Sequence, residues 1–125
     1  MARRLLILED DALLSKQLRR LFTSRGYDVH AVASVGEFQT VAASSRYDAL
    51  LLDLSLPDGN GLDAWSAART SQDGAVAVLM TAYGTDEVER RAEGLGINTT
   101  LPKPLDMNIL LAAVDGAPTP SRRQA

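Results

Sequence analysis

The stretch "ALLLDLSLPDGNG", residues 49–61, decides how this chain is read. Four apolar residues, Ala49 to Leu52, run without a polar break into a single carboxylate, Asp53, and a turn cluster of Pro57, Asp58 and Gly59 follows. A short apolar run with no alternation is the pattern of a strand covered on both faces, which points to a parallel sheet between layers of helices. Such a strand gains nothing in packing from a charge at its tip, so Asp53 asks for a functional explanation.

The same grammar repeats on either side. "LLIL" (5–8) ends in Glu9-Asp10-Asp11, and Leu14, Leu18, Leu21 and Phe22 then recur at helical spacing until Gly26, placed as a C′ glycine. "YDVHAVA" alternates as a second strand, and Ser34-Val35-Gly36-Glu37 has the form of a capping box opening a helix through about Ser44. Asn60 and Asp63 suit the start of a third helix that carries Leu62 and Trp65 and ends before Gly74. "AVAVLMTA" (75–82) is a fourth buried strand, and "TDEVERRAEGLG" aligns Val88, Ala92 and Leu95 on one helical face. "TTLPKPL" (99–105) gives a short fifth strand, and Asp106 can cap a last helix, "MNILLAAV". Five strands each followed by a helix, joined by right-handed crossovers, predict a doubly wound α/β fold with a five-stranded parallel sheet and helices on both faces. Residues 1–115 read as one domain. The final "GAPTPSRRQA" (116–125) loses periodicity and reads as a tail or the start of a linker.

Composition narrows the classes. At 125 residues, 46% hydrophobic and 23% charged, the chain has the make-up of a globular domain. A net charge of −3 argues against nucleic-acid or anionic-membrane binding through a basic field. Cysteine is absent, which removes disulfides, thiolate metal sites and cysteine nucleophiles and agrees with a cytoplasmic setting. The apolar runs fall far short of the roughly 20 residues a membrane helix needs, and the N-terminal run is too short for a signal-peptide core.

Ligands of open α/β sheets bind at the carboxyl ends of the strands. Here those ends hold Glu9, Asp10 and Asp11, then Asp53, then Thr81-Ala82, then Lys103 between two prolines. Clustered carboxylates repel, and a hard divalent cation is the simplest way to keep them ionised; Mg²⁺ takes one or two carboxylates, waters and phosphate oxygens. A lysine beside such a cation makes sense if a phosphoryl group docks between them, and a carboxylate can itself be the nucleophile that receives it. Each residue also has a plainer reading. Asp10 or Asp11 could cap the first helix, Asp53 could hold turn amides, Thr81 could be structural and Lys103 solvated. Trp65 reads as packing, His30 as a tolerated strand residue, and the Arg pairs at 19–20, 90–91 and 122–123 as solvated faces, with 90–91 also open to a partner.

"LLILEDD", "YDALLLDLSLPDGNGLD", "VLMTAYG" and "LPKPLD" resemble, in order and spacing, the four signature segments of the response-regulator receiver domain of two-component signalling. The resemblance covers roughly residues 3–115 and implies the flavodoxin-like strand order 2-1-3-4-5. It further implies that Asp53 accepts a phosphoryl group from a sensor histidine kinase or histidine phosphotransfer protein. Glu9 and Asp10 match the acidic pair that holds Mg²⁺, with Asp53 and the backbone carbonyl of Ser55 completing the protein ligands. Thr81 and the backbone amide of Ala82 match the groups that bind the phosphoryl, Lys103 matches the lysine that pairs with it, and the Lys103–Pro104 bond is expected to be cis. The output surface would be the fourth helix, fifth strand and fifth helix, serving an effector domain or a dimer. Such a domain is a phosphoacceptor, not an enzyme beyond slow autophosphatase activity. One position departs: Thr100 stands where the family usually has Tyr or Phe, so output is expected to rest on the fourth helix and the loop before it. Two alternatives differ in class. A haloacid-dehalogenase-type phosphatase would place a second acid where this chain has Ser55, and an interaction module would work without phosphorylation. A calcium loop fails because Gly59 is seventh and Ala64 twelfth from Asp53, and no G-x-G-x-x-G follows the first strand.

Overall fold

The computed structural model describes residues 2–116; of the tail expected over 116–125, all but Gly116, with Arg122 and Arg123, lies outside the described residues. Five strands and five helices alternate: β1 (Arg4–Leu8), α1 (Ala12–Ser24), β2 (Asp28–Val32), α2 (Val35–Ser44), β3 (Ala49–Asp53), α3 (Gly61–Ala68), β4 (Val76–Thr81), α4 (Asp86–Gly94), β5 (Thr99–Pro102) and α5 (Met107–Val114). The strands pair in parallel in the order β2-β1-β3-β4-β5, as the sequence led us to expect. β3 is central and buried at all five residues, whereas edge strand β2 alternates, leaving His30 exposed.

Period-2 alternation splits the apolar residues between two cores. Leu6, Leu8, Leu50, Leu52, Ala77 and Leu79 pack with Phe38, Ala42, Leu62 and Trp65 from α2 and α3. Leu5, Ile7, Ala49, Leu51, Val78 and Met80 face Leu18 and Phe22 of α1 and Leu110 and Val114 of α5. Trp65 is core, and its indole N–H donates to the carbonyl of Leu95 at 2.6 Å.

The helix ends follow local chemistry. Asp11 caps α1 by accepting from the amides of Leu13 and Leu14, Asn60 caps α3 through Asp63 N, Thr85 caps α4 through Val88 N, and Asp106 caps α5. Gly26, at φ +91°, closes α1: its amide bonds Thr23 O, the Tyr27 amide bonds Phe22 O, and the Phe22 and Tyr27 rings meet edge-on at 5.4 Å. The capping box at α2 is modified: Ser34 accepts from Glu37 N, but Glu37 reaches back to the amide of Ala33, not to that of Ser34. β5 stops at Pro102, three residues earlier than expected, because prolines at 102 and 104 have no N–H to offer a ladder.

Between β3 and α3, where the sequence predicts a turn at Pro57-Asp58-Gly59, the chain forms an antiparallel ribbon of two residues a side, Ser55–Leu56 against Gly59–Asn60.

Candidate functional site

The finishing ends of four of the five strands converge. Glu9 follows β1, Asp53 ends β3 and is paired in register with Met80, Thr81 ends β4, and Lys103 follows β5. Glu9, Asp53 and Thr81 are buried, at 2%, 5% and 2% exposure; Lys103 is half-buried and Asp10 exposed. Lys103 Nζ lies 2.8 Å from Glu9 Oε1 and 3.3 Å from Asp53 Oδ2, bridging the two buried acids. The other Glu9 oxygen accepts from the amide of Asp11 at 3.0 Å. One carboxylate oxygen from each of Glu9, Asp10 and Asp53 lies within 4.8 Å of the others.

The electrostatics follow from that packing. Burial pushes the Glu9 carboxyl above its ordinary range, Lys103 and the Asp11 amide pull it back, and the neighbouring Asp53 adds to the rise. Burial acts on Lys103 in the opposite sense, but its bonds to Glu9 and Asp53 outweigh it, so the ammonium is held above the usual lysine value. Lys103 therefore serves as the internal counter-charge that keeps two buried acids together.

Backbone geometry fixes the surroundings of Asp53. Lys103 N donates to Thr81 O at 2.9 Å, Leu54 N to Met80 O, and Gly61 N to Leu54 O. Gly61 packs so tightly that a Cβ there would collide with the carbonyl oxygen of Asp53. This is a residue that sequence reasoning missed; its only local signal was a glycine at the first position of a helix. The Lys103–Pro104 peptide is cis, as expected. Thr81 Oγ1 accepts from Tyr83 N at 3.0 Å, which leaves its proton free to donate elsewhere. Ala82 is exposed just beyond Thr81, and Ser55 is exposed at the foot of the ribbon, opposite Asn60. Thr100 is buried in β5 across from Leu79, and Tyr83 is 81% exposed. Asp11 is the helix cap, which accounts for it fully.

The donor set suits a hard cation. It is all oxygen, and ligands placed opposite one another around Mg²⁺ stand about 4.2 Å apart, close to the spread of the three acids. Thus Glu9, Asp10 and Asp53 could hold a divalent ion with waters filling its remaining positions.

Comparison with known proteins places the fold and the family. The family model of the response regulator receiver domain matches residues 5–115. The acid tolerance regulatory protein ActR of Rhizobium meliloti is 34% identical over 110 residues, 88% of this chain and 57% of that protein, so the chain spans about half the length of the curated relatives it matches. Among solved structures, a CheY-like response regulator receiver domain protein from Methanospirillum hungatei superposes with a TM-score of 0.88 at 23% identity, covering 93% of each chain. A response regulator from Burkholderia pseudomallei, solved with a phosphorylated aspartic acid, calcium ion and citrate, gives a TM-score of 0.84 at 24% identity over 90% of this chain and 66% of that one.

Proposed function

We propose that this chain, which belongs to the response regulator receiver domain family, takes a phosphoryl group onto the side chain of Asp53. The observation that carries the reading is Lys103 bridging Glu9 and Asp53, with Thr81 at the end of the adjacent strand. In the reaction an Asp53 carboxylate oxygen attacks the phosphorus of a phosphohistidine on a histidine kinase or phosphotransfer protein. The P–N bond breaks, the imidazole leaves, and an acyl phosphate remains. Lys103, held between the two acids, is in reach to pair with a phosphoryl oxygen; the Thr81 hydroxyl, already accepting from Tyr83 N, keeps its proton to donate; the amide of Ala82 follows it in the chain. Glu9, Asp10, Asp53 and the Ser55 carbonyl would hold Mg²⁺, which supplies positive charge against the transferring group. The phosphorylated aspartic acid and calcium ion of the Burkholderia pseudomallei regulator support such a pairing.

The domain would span residues 1–115 and act in the cytoplasm as a phosphoacceptor, not as an enzyme in its own right; no described helix is long and apolar enough to cross a membrane. Output would pass through α4 and its preceding loop toward β5, α5 and an effector domain or a second copy. Two features support α4 as the moving part: its one fully buried residue is Ala92, and a cavity of about 690 Å³ lies between its first turns and the 55–60 ribbon. An α4 unmoved in the phosphorylated protein would overturn that part of the reading.

The test is intact mass after incubation with acetyl phosphate, with and without Mg²⁺, beside Asp53→Asn. One Mg²⁺-dependent phosphoryl adduct that vanishes in the variant is expected. An adduct that persists in Asp53→Asn would move the acceptor elsewhere, and none with either acetyl phosphate or a phosphohistidine donor would favour an interaction module.

A further inference from the structure

Asp58 sits at the tip of the ribbon, exposed and outside every functional assignment made above. Its carboxylate crosses to another element: Oδ1 accepts from Val35 N at 2.9 Å and Oδ2 from Gly36 N at 3.1 Å, the first two amides of α2. The third amide, Glu37 N, is taken by Ser34. Those two bonds hold the Asp58 carboxyl below its ordinary range. A second contact reinforces the clamp: Gly59, at φ +155°, lies against Val35, so close that a Cβ on it would stand 3.2 Å from Val35 Cγ2.

What the clamp steadies is the ribbon. Two residue pairs, Ser55 with Asn60 and Leu56 with Gly59, are far too few to hold a hairpin by themselves. At its foot the ribbon is tied by Gly61 N to Leu54 O, and at its tip by Asp58 to α2. Ser55, which would offer its carbonyl to the cation, lies between these two ties.

We propose that Asp58 is a positioning residue for the cation site, clamping the ribbon tip onto the amides of Val35 and Gly36 and so fixing the segment that carries the Ser55 carbonyl. The inference rests on the reading of Glu9, Asp10, Asp53 and Ser55 as cation ligands. Groups that orient metal ligands from outside typically contribute 10–100-fold in affinity, and one carbonyl among several ligands places Asp58 near the lower figure.

Calorimetric titration of the full chain with Mg²⁺ tests it, comparing wild type with Asp58→Ala, Asp58→Asn and Ser34→Ala. Ser34→Ala also strips a cap from the α2 N-terminus but does not touch the ribbon, so it controls for loss of helix stability. The expected result is about tenfold weaker binding in Asp58→Ala, partial recovery in Asp58→Asn, which keeps one acceptor oxygen, and unchanged binding in Ser34→Ala. Acetyl phosphate labelling of Asp58→Ala should then recover to the wild-type rate at saturating Mg²⁺. Equal weakening in Asp58→Ala and Ser34→Ala, or full affinity in Asp58→Ala, overturns the positioning role while leaving the parent reading intact. Absence of Mg²⁺ binding in wild type takes both down together.

Discussion

At the edge where the strands begin, each of three arginines has its own oxygen partners; at the edge where they end, two buried carboxylates share one lysine. Arg3 donates to the Tyr27 hydroxyl and the Asp115 carbonyl, Arg4 pairs with Asp28 and bonds the carbonyl of Arg46, and Arg46 bonds the carbonyl of Asp73. The Tyr27 hydroxyl in turn donates to Asp115, and the Arg3 and Arg4 guanidiniums stack over Tyr27 and Tyr47. These pairs close on themselves and fasten the sheet. At the other edge acidic charge outnumbers basic charge, and the two buried acids depend on a single ammonium. The difference teaches where to look for function in a doubly wound fold: not where charges are numerous, but where they are left out of balance.

Removing Lys103 should break the comparison most severely. In divalent-free buffer at neutral pH, Lys103→Met should lose about 3 kcal/mol by urea unfolding, the lower end of the buried-pair range because the lysine side chain keeps 23% exposure. Glu9, already raised by burial, would rise further without its partner. A group raised in the folded state contributes stability that is present at low pH and lost as pH rises through the folded value. The deficit should therefore shrink at about pH 5 and widen at about pH 8, and Mg²⁺ should narrow it at the higher pH. An equal deficit at both would mean that the acids are not the cause.

At the opposite edge, Tyr27→Phe should cost about 1 kcal/mol at neutral pH, the scale of one hydrogen bond. Burial, then the bond to Asp115, pushes the Tyr27 hydroxyl up to about 12 from 10.0. That contribution is present below pH 10 and lost as pH climbs toward 12. The gap between wild type and Tyr27→Phe should close over that window in alkaline unfolding curves. Acetyl phosphate labelling should be unaffected, which would sharpen the division between a fastening edge and a reactive one.

The smallest effect separates neighbours within the acidic edge. Asp11→Ala should lose about 1 kcal/mol, the value of a helix cap, yet keep wild-type Mg²⁺ affinity, because the Asp11 amide that holds Glu9 belongs to the backbone. Weakened Mg²⁺ binding would enlist Asp11 in the site.

Much of this was legible in the sequence because it is local. Strand ends, N-caps at Asp11, Ser34, Asn60 and Asp106, and the glycine after α1 are set by residues a few positions apart. What escaped is set across long separations. Gln72 drew no reading from the sequence, but it is 1% exposed and its side-chain amide joins Tyr47 N, Ala42 O and Ser45 O. Asp58 reads as a turn former, yet its partners lie more than twenty residues away. Gly61 offers no periodic signal at all; its need appears only once α3 starts against the Asp53 carbonyl.

Trp65 is the chain's single tryptophan, 4% exposed, with its indole N–H bonded to the Leu95 carbonyl just past the end of α4. All indole fluorescence therefore arises from one chromophore wired to the helix proposed to carry output. Displacement of α4 would strip that bond and change emission wavelength and quantum yield together, so the switching proposed for α4 would be readable from an intrinsic optical gauge, in real time and without a label.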